Sequence, residues 1–299
     1  MKRFLKWFFI FLFCIAIILA AMIGYAWEAA FGPGLTKEKT AQILVNDDKF
    51  GGRAEQKAIR YGDSILPLIK NDSANFEKLN GRNSFWIAEV LGKIRTDKSR
   101  SILLDLYSRP NHIAKLTGAI GLLEQGVFPE KITTDSILVQ TVKNQSVKTE
   151  TEAELAIIAL GYSKDTNALP CLMDLLKNQP SSYWLHADAC DAVARIGSQE
   201  AVPVLEDCLR SQQFYALPNA FRALIALGDK QAVPLAIDRV SPDIKMQNSG
   251  FVLGELKKVT GKSFGDDRDA WRNWWDSVKT TWEIPGDYLK PWDEQKPVY

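Results

Sequence analysis

The sequence predicts an all-α fold: an α-solenoid of about six helical hairpins, preceded by one N-terminal transmembrane helix and closed by a Trp-rich C-terminal capping helix. Three observations predict it. A charge-free apolar run opens the chain, apolar segments recur with a period of just over 30 residues through its middle, and tryptophans follow one another at helical spacing near its end. No alternating strand pattern of useful length interrupts these segments.

The first 27 residues differ from the rest and are set aside from the fold. Residues 1–6 include three basic side chains, and residues 7–27 contain no charged one. At about 1.5 Å per residue, a helix over residues 7–27 spans roughly 30 Å, the hydrocarbon thickness of a bilayer. Because the basic residues precede the apolar run, the positive-inside rule places residues 1–6 in the cytoplasm. The C-terminal domain is then expected outside a bacterial inner membrane, in the periplasm.

A cleaved signal peptide is the alternative interpretation, and the chain would then be secreted. Gly24-Tyr25-Ala26 offers a small-x-small cleavage site. The apolar region of a signal peptide is usually about 7–15 residues long, and this one is longer. The length therefore favours an uncleaved signal anchor, with residues 28–48 as a linker and a first helix.

Charge and cysteine content exclude two classes of protein. Three of the 37 basic residues precede the apolar run, so the remaining chain carries 34 basic and 36 acidic side chains, a net charge of −2. Such a surface does not neutralise phosphates, and no nucleic-acid partner is predicted. Only Cys171, Cys190 and Cys208 follow the run, so the chain is not a disulfide-stapled scaffold and depends on an apolar core.

Prolines mark the start of each repeat. Ala168-Leu169-Pro170, Ala201-Val202-Pro203 and Ala232-Val233-Pro234 each open an apolar helical run, and Pro67 fits the same frame about three periods earlier. Proline suits the first turn of a helix, where its missing N–H is not needed and its fixed φ is already helical.

Glycines mark the end of each repeat. They follow apolar helical runs at positions 62, 92, 126, 161, 197 and 228. A glycine there supplies the left-handed conformation that ends a helix. Each unit is therefore predicted to be a hairpin of two helices with one apolar face, and stacking of these hairpins over residues 49–260 buries a continuous core.

The pattern resembles a known repeat family. Leu-Gly, a short turn and Ala-Val-Pro-x-Leu at this period are similar to the armadillo-like HEAT repeat, in particular its short bacterial form related to bilin lyases. The resemblance covers residues 50–260 and is closest over 155–240. It implies a superhelical scaffold whose second helices line a concave binding surface. Those second helices are expected at about 84–94, 113–124, 151–160, 185–196 and 217–227.

A Trp-rich helix follows the repeats within residues 261–282, with Asp266 or Asp267 as a fitting N-cap. Its tryptophans form one stripe, and because a terminal repeat needs a cover over its apolar face, the stripe is predicted to cap the solenoid. The alternative is that some tryptophans anchor a partner, since tryptophan is frequent at interface hot spots. Residues 283–299 are predicted to be an extended Pro-rich tail that folds back on the solenoid or reaches a partner. The candidate partner-binding residues are Trp271, Trp275, Trp282 and Trp292.

The candidate ligands for a metal site are one histidine and three cysteines. His186 and Cys190 lie four residues apart on one helix face, with Cys171 and Cys208 on flanking helices. A Cys/His metal site is one interpretation and a Cys–Cys disulfide another. Alignment of the repeats places these residues level with Leu and Phe of neighbouring repeats, which favours packing positions for them. No metal, cofactor or catalytic residue is therefore predicted.

Sequence motifs of common enzymes are also missing. The chain has no Gly-rich phosphate loop, no His-Glu-x-x-His and no Gly-x-Ser-x-Gly. We therefore expect a non-enzymatic, membrane-anchored scaffold that binds a protein partner, as an accessory or assembly subunit of a membrane complex. The resemblance leaves an alternative from a different class, a bilin-lyase-like or chaperone-like enzyme acting on a tetrapyrrole protein.

Overall fold

The computed structural model describes residues 36–46, 51–72, 81–127, 150–178, 182–211, 216–240 and 249–295. Within these ranges the regular structure is helical, with no β-strand. The predicted cytoplasmic N-terminus and transmembrane helix at residues 7–27 lie outside the described residues. Among the helices that are described, none is both long and apolar enough to cross a bilayer.

The described residues form 14 α-helices. They are α1 (Lys37–Asn46), α2 (Gly51–Tyr61), α3 (Leu66–Asp72), α4 (Gly81–Ile94), α5 (Asp97–Ser108), α6 (His112–Glu124), α7 (Glu150–Ser163), α8 (Leu169–Asn178), α9 (Tyr183–Ile196), α10 (Val202–Arg210), α11 (Leu217–Ala226), α12 (Ala232–Asp238), α13 (Ser249–Thr260) and α14 (Arg268–Val278).

The helices form two layers. In the inner layer α2, α4, α6, α7, α9, α11 and α13 pack in succession, each on the next. In the outer layer α3 packs on α5, α8 on α10, α10 on α12 and α12 on α14. Apart from α6 and α7, which are both inner helices, inner and outer helices alternate from α2 onward, as expected for the predicted solenoid of helical hairpins. The bounds of five inner helices agree to within three residues with those of the second helices expected from the sequence. These are α4, α6, α7, α9 and α11.

A residue in the left-handed conformation follows each inner helix within two positions. These residues are spaced 33, 31, 38, 33, 31 and 33 positions apart, with φ between 54° and 82°, which fixes the period of the repeat. They are Gly62, Arg95, Gly126, Lys164, Gly197, Gly228 and Gly261.

The prediction that a glycine ends each inner helix is wrong at two positions. Gly92 and Gly161 lie inside α4 and α7, and the left-handed position is taken three residues later by Arg95 and Lys164. The two glycines instead permit close contact between helices. A Cβ on Gly161 would lie 2.7 Å from the Cα of Ala192 in α9, so only glycine fits at this crossing.

The outer helices begin as the prolines predict. Short 3₁₀ turns at Gly62–Ile65, Thr166–Ala168 and Gln199–Ala201 lead into α3, α8 and α10, whose second residues are Pro67, Pro170 and Pro203. Two of these turns are capped by side chains, because Asp165 accepts from the backbone N–H of Asn167 at 2.9 Å and Ser198 from that of Glu200 at 3.3 Å.

The Trp-rich helix α14 packs on α12, at the end of the solenoid. Asp267 caps it by accepting from the backbone N–H of Ala270 at 2.9 Å. Trp271 is 1% exposed, and its indole N–H donates to the carbonyl of Gly265 at 2.9 Å. The ring of Phe264 meets that of Trp271 edge-on at 5.0 Å. The helix thus extends the apolar core of the repeats with aromatic rings.

Candidate binding groove

The inner layer encloses a cavity of about 380 Å³, which we call the groove. Its walls are side chains of α2, α4, α6, α7, α9 and α11. Residues 283–295, which we call the tail, fold back so that Trp292, Asp293 and Gln295 complete the lining. The groove therefore lies between the inner helices and the described part of the tail.

The repeat frame explains which side chains line the groove. Two positions four residues apart on the inner helices, six and two before the left-handed residue, share one helix face. The first of these positions supplies Gln56, Glu89, Ile158, Asp191 and Arg222, and the second supplies Lys93, Glu124, Tyr162 and Arg195.

A chain of polar contacts joins α2, α4 and α7 in the groove. Lys93 donates to Glu55 at 2.7 Å and lies 3.4 Å from Glu89, which accepts from the hydroxyl of Tyr162 at 2.8 Å. Burial, together with the neighbouring charge of Glu89, raises the pKa of Glu55 to about 7, against the opposing effect of Lys93. Burial favours the neutral form of Lys93, but Glu89 and Glu55 outweigh it and raise the pKa of the amine.

Arg195 connects the groove wall to the tail. Its guanidinium lies 4.0 Å from the ring centroid of Tyr162, a cation–π contact between α9 and α7. Its Nε donates to Asp293 at 2.6 Å, and Lys164 approaches the other carboxylate oxygen of Asp293 at 3.3 Å. Burial opposes ionisation of Asp293, but the two basic neighbours outweigh it and lower the pKa of its carboxyl.

The neighbouring tail residue makes a ring contact with the groove. Trp292 is half-buried, and the guanidinium of Arg222 lies 5.0 Å from its ring centroid. Two adjacent tail residues, one aromatic and one acidic, are therefore each held by an arginine of an inner helix.

Asp188 lies deeper, between α9 and α4. Its Oδ1 is 3.4 Å from Nη2 of Arg82, whose guanidinium also lies 4.5 Å from the ring centroid of Trp184. Among the described residues, Oδ2 of Asp188 has no hydrogen-bond partner. Burial raises the pKa of this carboxyl to about 7, although Arg82 opposes the change. Trp184 itself is 50% exposed beside the groove.

The four tryptophans proposed from the sequence as partner anchors have different surroundings. Trp271 and Trp275 are buried in the core at 1% and 8% exposure, so packing occupies their rings. Trp282 is half-buried against Trp275, with ring centroids 5.6 Å apart. Trp292 alone among the four lines the groove.

The cysteines and His186 are buried packing residues. Cys190 and Cys208 are free thiols; burial raises the pKa of Cys208 to about 12, and burial also raises the pKa of Cys190 well above its usual value. Burial lowers the pKa of His186 to about 4. No group of three or more His, Cys, Asp or Glu side chains within the described ranges has the arrangement of a metal site.

Sequence reasoning missed the charged residues of the groove. Asp188, Asp191 and Arg195 recur at helical spacing within the otherwise apolar helix α9, and Lys93 occupies the corresponding place in α4. Charges on the apolar face of a predicted inner helix were the available signal, because a buried charge needs a nearby partner.

Comparison with known families agrees with the repeat. Residues 149–216 match the family model of HEAT repeats. Over these residues the chain is similar to HEAT repeats. The match includes α7 to α10, so Tyr162, Asp188 and Arg195 of the groove come from the HEAT region. The helices that precede and follow residues 149–216 in the sequence stack in the same two layers. No curated protein sequence matches the chain.

Proposed function

We propose that the chain is a membrane-anchored HEAT-repeat scaffold that binds a protein partner in the groove, as an accessory or assembly subunit of a membrane complex. The observation that carries the proposal is the tail, a peptide segment held on the inner helices by Arg195, Lys164 and Arg222. A surface that holds an irregular segment of its own chain has the chemistry to hold a segment of another protein. Stacked helical repeats use such concave surfaces for binding.

Binding without catalysis is supported by three groove carboxylates that are bonded to side chains of the same chain. Glu55 is bonded to Lys93, Glu89 accepts from Tyr162, and Asp293 accepts from Arg195. A lyase acting on a tetrapyrrole protein needs a nucleophile or acid that faces its substrate. Co-expression with a tetrapyrrole-bearing protein tests this alternative, because a bound pigment would be visible in the absorbance of the purified chain.

The membrane anchor is proposed from residues 7–27 alone. Alkaline carbonate extraction of cell membranes, followed by intact mass measurement, tests it. We expect the chain in the membrane pellet with residues 1–27 retained. A soluble chain that lacks these residues would favour signal cleavage and secretion instead.

The partner is tested by cross-linking and co-purification from membranes in mild detergent, with two matched variants. Trp184→Ala removes an aromatic ring that is 50% exposed beside the groove, and Leu104→Ala removes a side chain that is 48% exposed on the outer helix α5. We expect Trp184→Ala to lose the captured protein and Leu104→Ala to retain it. Equal capture by both variants would contradict binding in the groove.

A further inference from the structure

The tail follows a defined path from the capping helix to the groove. Glu283 pairs with Lys230 at 2.6 Å beside α12, and Ile284 is buried at 6% exposure. Gln295 donates to the carbonyls of Tyr288 and Lys290, each at 3.0 Å, which closes the end of the tail into a compact turn. This turn presents Trp292 and Asp293 to the inner helices.

The position that receives Asp293 requires an anion. The side chain of Arg195 is only 10% exposed, and it stacks on Tyr162 at 4.0 Å. Within the described part of the chain, Asp293 is the carboxylate that lies within ion-pair distance of Arg195. Removing one partner of a buried ion pair leaves an uncompensated charge. If the tail leaves the groove, another carboxylate is needed at this position.

The position that receives Trp292 is also defined by an arginine. Arg222 stacks on the indole at 5.0 Å and lies 3.9 Å from Glu255 of α13. The two arginines come from successive inner helices, α9 and α11, Arg195 at the second and Arg222 at the first of the two groove-lining positions of the repeat frame. Lys164 adds a second basic group beside the carboxylate. Together, Arg195, Arg222 and Lys164 form what we call the arginine site.

We propose that the arginine site binds a linear segment of the partner that carries an aromatic residue next to an acidic one, in the place of Trp292 and Asp293. The inference rests on the proposed function and specifies its partner. The tail is then an intramolecular competitor. Because it is tethered, its effective concentration at the site is high, so a partner segment gains access when the tail contact is weakened or when further contacts in the groove compensate.

A peptide probe tests the site on the full chain in detergent. The probe is a fluorescein-labelled peptide with the sequence of residues 286–295, and its binding is followed by anisotropy. Asp293→Asn weakens the tail, so we expect the peptide to bind this variant about tenfold or more tightly than the wild type. Lys290→Ala changes an exposed tail side chain whose ion pair with Asp287 is local, and it should bind the peptide as the wild type does.

Variants of the receiving side show whether binding uses the arginine site. Added to Asp293→Asn, either Arg195→Gln or the more exposed Arg222→Gln should reduce peptide binding about tenfold or more, and circular dichroism establishes that each variant is folded. A peptide with asparagine in place of its Asp293 equivalent should bind equally weakly to all variants. No binding to Asp293→Asn, or equal binding of the two peptides, would overturn the proposal. A wild-type dimer that Asp293→Asn dissociates would identify a second copy as the occupant and also overturn it.

Competition separates this inference from the proposed function. If the peptide displaces the captured protein, the inference is supported. If capture depends on Trp184 but the peptide does not displace the protein, the scaffold function stands and the arginine site is not where the partner binds. If the peptide binds but no protein is captured through the groove, the tail contact is real and the scaffold function fails.

Discussion

The Nε of Arg195 donates a 2.6 Å hydrogen bond to Oδ1 of Asp293, which joins an inner helix to a residue 98 positions further along the chain. The two residues differ in what happens if the bond breaks. Asp293 lies on the tail and reaches water when the tail leaves. Arg195 remains enclosed beside Tyr162, with 10% of its side chain exposed. Breaking the contact therefore costs more free energy when Arg195 is left without its carboxylate than when Asp293 is left without its arginine.

We expect Asp293→Asn, which leaves the enclosed Arg195 without its carboxylate, to destabilise the fold more than Arg195→Gln. The loss in free energy of unfolding should be about 2–3 kcal/mol for the aspartate variant and about 1 kcal/mol for the arginine variant. Urea unfolding measures both values. Hydrogen exchange should also show that Asp293→Asn increases exchange in residues 283–295 while leaving α9 protected. Equal losses of stability, or no change in the tail, would contradict this account.

A pair of glycines tests the packing of the inner layer. Gly161→Ala places a Cβ 2.7 Å from the Cα of Ala192, so we expect a loss of about 1–3 kcal/mol in the free energy of unfolding. Gly254 lies within α13, and a Cβ added there would meet no neighbouring atom within 4 Å. Gly254→Ala should therefore gain about 0.5–1 kcal/mol from helix propensity. The urea midpoints of the two variants should move in opposite directions from that of the wild type.

The period of the repeat was predictable, but its phase, meaning the residue at which each inner helix ends, was not. Prolines and glycines indicate a spacing of just over 30 residues, because each has one backbone role that the hairpin needs. At Gly92 and Gly161 the same residue type serves a different need, the close approach of two helices. Arg95 and Lys164 adopt φ of 54° without a glycine, at a cost that local sequence does not reveal.

A prediction of which side chains line the groove requires the correct phase. Counted from the left-handed residue, Lys93, Tyr162 and Arg195 occupy the same position in their repeats. Counted from Gly92, Gly161 and Gly197, they do not, and the charges appear scattered. The contact of Arg195 with Asp293 joins residues of α9 and the tail, and no periodic pattern indicates where the tail folds back.

The buried carboxyl of Asp188 predicts a specific dependence on pH. Burial raises its pKa from 3.8 to about 7, so between these values the folded chain holds a proton that the unfolded chain has lost. This contribution stabilises the fold at low pH and disappears as pH rises through about 7. Asp188→Asn removes the charge. We expect the stability of Asp188→Asn relative to the wild type to increase by about 1–3 kcal/mol between pH 5 and pH 8.

Urea unfolding at both pH values measures this difference directly. The comparison of variant with wild type cancels the opposite effect of His186, whose pKa is lowered to about 4 and whose protonation destabilises the fold as pH falls. Asp174→Asn, on the exposed side of α8, is the matched control and should show no such growth in stability. A stability difference for Asp188→Asn that does not grow between pH 5 and pH 8 would show that the carboxyl is ionised without penalty.

Trp271 and Trp184 test separately the packing of the capping helix and the proposed binding beside the groove. Trp271 is 1% exposed and bonded to the carbonyl of Gly265, so Trp271→Ala should lose about 3–5 kcal/mol in the free energy of unfolding. Trp184 is 50% exposed, so Trp184→Ala should change that free energy by less than about 0.5 kcal/mol while it weakens partner capture. Thermal unfolding and co-purification of the two variants measure both properties. If Trp271→Ala unfolds like the wild type, the capping helix is not part of the core; if Trp184→Ala unfolds easily, its loss of capture no longer reports on binding.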